Sequence, residues 1–93
     1  MNELPYTAGR VNSALVYNDN GKKAMMMAVS RHHNISPHSS PADALAIIIE
    51  GVVEVTLNNT NYILRRGDSI LFRKNEIHSL QPVTDFKMYL VKY

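Results

Sequence analysis

Short runs in which hydrophobic and polar residues alternate one for one recur along this chain, and that period points to β-structure. From Val52 the order Val-Val-Glu-Val-Thr-Leu places Val53, Val55 and Leu57 on one side of an extended strand and Glu54 and Thr56 on the other. The run from Phe86 to Lys92 alternates likewise and groups Phe86, Met88 and Leu90. Tyr62–Arg65 and Ser69–Phe72 are shorter runs of strand type. Apolar spacing of helical type, at i, i+3, i+4 and i+7, is not sustained anywhere.

Turn chemistry cuts these runs at short intervals. Asn18-Asp19-Asn20-Gly21 separates Val11–Tyr17 from Lys23–Ser30, and Asn58-Asn59-Thr60 separates Val52–Leu57 from Tyr62–Arg65. Both contain residues that tolerate positive φ. Arg66-Gly67-Asp68 and Arg73-Lys74-Asn75 bracket the next run, and Arg31–Pro41 is the longest break, with Pro37, Pro41 and three of the four histidines. About eight short strands with regular turns predict a sandwich or small barrel. One run differs: Ala44-Leu45-Ala46-Ile47-Ile48-Ile49 is apolar on both faces, as is Met25-Met26-Met27. One face of such a strand fits the interior and the other needs a cover, from a partner subunit or from the chain's own N-terminal segment.

Ninety-three residues make one domain, expected to span 1–93. A chain this short buries only about 60–65% of its unfolded surface, and without cysteine it has neither a disulfide nor a CxxC zinc site to compensate. Self-association into a homodimer is the expected way to bury more. A composition 45% hydrophobic and 19% charged excludes a disordered or collagen-like chain. Ten Lys and Arg against 8 Asp and Glu leave a formal +2, and the basic residues come as scattered pairs at turns. That is no nucleic-acid footprint, which needs clustered charge. Met1–Arg10 has no apolar run of signal type, and Ala44–Ile49 falls far short of the roughly 20 residues of a membrane helix. The expectation is a cytoplasmic protein with no membrane or nucleic-acid partner.

Ile49-Glu50-Gly51-Val52-Val53-Glu54-Val55-Thr56-Leu57, followed by Tyr62–Arg65 and Gly67-Asp68-Ser69-Ile70-Leu71-Phe72, resembles the conserved barrel of the cupin family from about Met25 to Tyr93. The second cupin motif reads G-x5-P-x-G-x2-H-x3-N. Gly67 and His78 stand at its spacing, with Arg73 in place of the proline, Asn75 of the glycine and Pro82 of the asparagine. The first motif, H-x-H-x3/4-E-x6-G, is eroded: counting back from Gly51, Ala44 holds the glutamate position, and His38 and Ser40 the two histidine positions. His38-Ser39-Ser40-Pro41-Ala42-Asp43 and the closing Phe86-Lys87-Met88 are also similar to a subgroup of very small cupins of undefined reaction. The resemblance implies an all-β antiparallel barrel of jelly-roll type whose pocket includes His38, Ser40, Ala44 and His78. It assigns turn or bulge roles to Gly51 and Gly67, with Asp68 capping the Gly67 turn.

The family's metal site uses three imidazoles and a carboxylate, and this chain retains two imidazoles, His38 and His78. Ser40 and Ala44 are poor donors or none, and catalytic zinc sites usually have three protein ligands. Asp43, His33 and Gln81 are candidate third ligands, although alternation turns Asp43 away from the interior. His32-His33 reads as a solvated turn pair. Three readings of His38 and His78 stay open: ligands of one weakly held divalent ion (Zn, Ni, Mn or Fe), a polar pair that binds or deprotonates a small molecule, or remnants at the barrel mouth. The function expected is small-molecule binding. The alternatives are a metal-dependent isomerase or dioxygenase acting on a small polar or carbohydrate-like substrate, and a sensor or accessory module acting through a partner protein.

Overall fold

Asparagine-based turns join two of the strand pairs and set their register. Asn20 has φ 51°, and Asn58 and Asn59 have φ 50° and 63°. Each turn is a two-residue loop, closing Asp19 on Lys22 and Leu57 on Thr60. Positive φ at both central positions gives a turn whose twist matches that of the flanking strands. The computed structural model describes residues 4–93, so residues 1–3 of the expected domain lie outside the described part.

Nine strands follow: β1 (Val11–Asp19), β2 (Lys22–Val29), β3 (Ile35–His38), β4 (Ala44–Glu50), β5 (Val52–Leu57), β6 (Thr60–Arg65), β7 (Ser69–Phe72), β8 (His78–Pro82) and β9 (Phe86–Lys92). They form a five-stranded sheet in the order β1-β2-β9-β4-β7 and a four-stranded sheet in the order β3-β8-β5-β6, with every pairing antiparallel. No helix among the described residues is long and apolar enough to cross a membrane.

The expected alternation is realised. Val53 and Val55 from one sheet and Val29, Ile48 and Phe86 from the other are the largest side chains removed completely from solvent. Each contributes about 1.5–3 kcal/mol relative to an exposed position. On β4, Ala44, Ala46 and Ile48 are buried, while Leu45, Ile47 and Ile49 are half-buried on the opposite face. Ala44 and Ala46 are small, so the core is filled around Ile48, Val53 and Phe86 and hollow toward Ala44.

The Arg31–Pro41 segment is not an uninterrupted break, because β3 lies within it. This strand is short, sits at a sheet edge and carries Pro37, which only an edge tolerates. Its register shifts between Ile35 and His38, so no alternation marks it in the sequence. Tyr62 and Tyr93 are exposed.

Residues 5–10 run along the outer face of the five-stranded sheet. The Tyr6 hydroxyl donates to the Glu50 carboxylate, and the Lys87 ammonium lies 5.1 Å from the Tyr6 ring centroid. Asn12 donates to the Pro5 carbonyl at 2.7 Å, and the Gly9 N–H to Ser30 Oγ at 3.1 Å. Ala28, next to Lys87 in register, is fully buried. Burial and the Glu50 hydrogen bond hold the Tyr6 phenol well above its ordinary range.

Candidate functional site

The hollow end of the core is a cavity of about 320 Å³, at the lower end of the range of small-molecule sites. Its apolar wall comes from both sheets: Met27, Ile35, Leu80, Met88 and Leu90. Its polar residues are His38, Ser39, Ser40, His78 and Lys92. Ala44 and Phe72 complete the wall on the five-stranded side.

Strand pairing brings the two histidines together. His38 ends β3, His78 begins β8, and the two are Cα partners. Their rings meet edge to face, 4.3 Å apart at 63°. Phe72 stacks on the His78 ring at 3.9 Å and 10°. His78 thus contacts an aromatic ring and a second imidazole and is only 5% exposed, whereas His38 is exposed.

Both rings are oriented by the same local device. His38 Nδ1 lies 2.9 Å from the Ser36 carbonyl, and His78 Nδ1 lies 3.0 Å from the Glu76 carbonyl. A proton on each Nδ1 satisfies these bonds and leaves each Nε2 lone pair without a proton of its own. Glu76 is itself anchored, accepting Asn58 Nδ2–H at 2.7 Å and the Arg73 N–H at 3.1 Å. Those bonds hold the Glu76 carboxyl below its usual range. Burial lowers the His78 pKa, and the neighbouring His38 pushes it the same way; the Glu76 carbonyl and carboxylate oppose them. His78 is therefore biased toward the neutral form.

The proposed third ligands go elsewhere. Asp43 Oδ1 accepts the Lys74 N–H at 2.8 Å, and His33 Nδ1 lies 3.3 Å from the Gly9 carbonyl. Gln81 is exposed on β8, opposite Glu54, and His32 is exposed. Ser40 and Ala44 line the cavity, and the Ser40 carbonyl accepts the Asn75 N–H at 2.7 Å, which ties the two rim loops together. Among the described residues, no three His, Cys, Asp or Glu side chains are grouped to hold a metal. Two Nε2 donors fit a divalent ion only when the bound molecule supplies the remaining ligands, and they fall short of a resident catalytic centre.

Gly51, Gly67 and Asp68 lie away from the cavity. Gly51 has φ 82° and packs on the backbone of Asp85 and Phe86; Gly67 has φ 90° with open space beside it. Asp68 Oδ2 accepts the Arg65 N–H at 2.7 Å across the Gly67 turn.

Sequence reasoning overlooked Lys92, Phe72 and the methionines Met27 and Met88. Extending the alternation of Phe86, Met88 and Leu90 by one step would have turned Lys92 inward.

Two antiparallel sheets enclosing a pocket with a histidine pair at its mouth define a cupin-type barrel. The family model described as the AraC-like ligand binding domain matches residues 27–93, and the chain belongs to that family. Solved structures agree on the fold. A Streptococcus pyogenes protein of unknown function, SPY1581, is 26% identical, with 90% of this chain and 74% of that one covered at a TM-score of 0.82. A cupin superfamily protein from Desulfitobacterium hafniense is 17% identical, with 96% and 82% covered at 0.89. KdgF from a Halomonas species is 17% identical, with 96% and 84% covered at 0.82. No curated protein matches the chain.

Proposed function

We propose that this domain binds one small organic molecule in the cavity between its sheets, directly against His38 and His78. The observation that carries this reading is the pair of fixed imidazoles in a pocket whose other lining residues are mostly apolar. Such a pocket has the usual anatomy of a ligand site, with an apolar wall for affinity and a few convergent polar groups for orientation. Each imidazole is oriented by a backbone carbonyl, so neither has a hydrogen-bonded carboxylate to stabilise the imidazolium that acid–base turnover would form. Binding without turnover is the reading favoured. The setting proposed is the cytoplasm, to which a chain free of cysteine is suited.

The test is a thermal-shift screen of small polar and amphipathic molecules against wild-type protein and Ala44→Phe, which fills the cavity. A compound that raises the wild-type midpoint and not that of the folded variant supports the reading. Equal shifts place binding outside the cavity.

A second reading has a divalent ion held by both Nε2 atoms and completed by the bound molecule. The Nδ1–carbonyl bonds favour it, because metal-binding imidazoles are commonly oriented this way. Zn²⁺ titration should then show weak binding that His78→Ala removes and His32→Ala leaves intact.

We also propose a homodimer formed through the outer face of the five-stranded sheet. Leu45, Val91 and Ala24 form one apolar row across β4, β9 and β2, and Ile47, Tyr89 and Met26 the next.

A further inference from the structure

We propose that the molecule held in the cavity is an organic carboxylate with a compact apolar body, its carboxylate facing Lys92 and the His38–His78 pair. This assignment rests on the cavity being the ligand site. Every ionisable side chain lining the cavity is a base, His38, His78 or Lys92, and no Asp or Glu is among them. A cationic ligand would meet only positive or neutral groups there. A polyhydroxy ligand would find no carboxylate to accept its hydroxyl protons. The five aliphatic and methionine side chains of the wall suit an apolar body.

Strand register brings the three basic groups to one end of the barrel. Lys92 falls on the inward side of β9 with Phe86, Met88 and Leu90. It is the Cα partner of Ala44, whose partner on the other side is Phe72. Phe72 in turn stacks on His78. Lys92, Ala44 and Phe72 therefore form one row across the five-stranded sheet that leads to the imidazole pair. Among the described residues Lys92 makes no ion pair; the one present joins Lys87 to Glu50 on the outer face. Lys23, next to Lys92 on β2, adds a further positive charge at the same end of the sheet.

Glu76, in the turn before β8, is the acidic group near this end, and its carboxylate is already bonded to Asn58 and Arg73, so it is not offered as a counter-ion inside the cavity.

Isothermal titration with hexanoate and its neutral isostere hexanamide separates the possibilities. At about pH 7, hexanoate should bind at least about tenfold more tightly than hexanamide. Lys92→Met should weaken hexanoate at least about tenfold, and Lys92→Arg should restore it. Both variants keep the aliphatic stem, and circular dichroism checks that they fold. Equal affinity for the two compounds, or indifference to Lys92→Met, overturns the carboxylate assignment and leaves the cavity reading in place. No binding of either compound overturns both.

Discussion

Gly51 and Asp85 pack backbone against backbone. A Cβ added at Gly51 would overlap the Asp85 carbonyl oxygen and come within 2.8 Å of Phe86 Cα. The β8–β9 turn is held against this spot by Val52, whose carbonyl accepts the N–H groups of Val83 and Thr84. Backbone cannot move aside as a flexible side chain does. Gly51→Ala should therefore destabilise by more than about 4 kcal/mol, or prevent folding. Gly67→Ala meets open space and bears only the strain of positive φ, about 1–2 kcal/mol. Denaturant melts of the two variants measure the difference, and equal effects would contradict the close approach at Gly51.

The pH dependence of stability follows from His78. Its folded pKa lies below the unfolded value near 6.5, so between the two the unfolded chain binds the extra proton. Stability is full above about pH 7 and declines as the pH falls below about 6.5, levelling once the folded state also protonates. Thermal midpoints taken from about pH 7.5 to about pH 5.5 should fall for the wild type and fall less for His78→Gln. Parallel curves would show that His78 is not the group responsible.

Association should follow the apolar outer face. Sedimentation at micromolar concentration should give about twice the 10.5 kDa monomer mass. Ile47→Glu, which places a charge in the centre of that face, should return the monomer with the fold retained. A wild-type monomer removes the dimer from the account.

Much of the fold is legible in the sequence because most strands bury one face only. Val53 and Val55, or Phe86 and Met88, announce their side by period two, and the asparagine turns mark where strands reverse. β3 is illegible for the opposite reason: four edge residues with a proline and a register shift carry no period. His38 and His78 stand at motif positions, but their pairing depends on that unread strand. Asp43 is turned from the interior as alternation predicts, whereas His33 could not be placed because the bond that occupies it, to Gly9, joins segments distant in sequence. Lys92 is obscured by its charge, since a lysine at a strand end ordinarily reads as solvated.

The most direct measurement uses the methionines as reporters. Met27 and Met88 line the cavity, whereas Met26 lies on the outer face beside Tyr89. In spectra of protein labelled with ¹³C at the methionine methyls, a compound found in the thermal-shift screen should move the Met27 and Met88 signals and leave Met26 in place. Movement of Met26 alone would contradict the central claim that the ligand enters the barrel between its sheets.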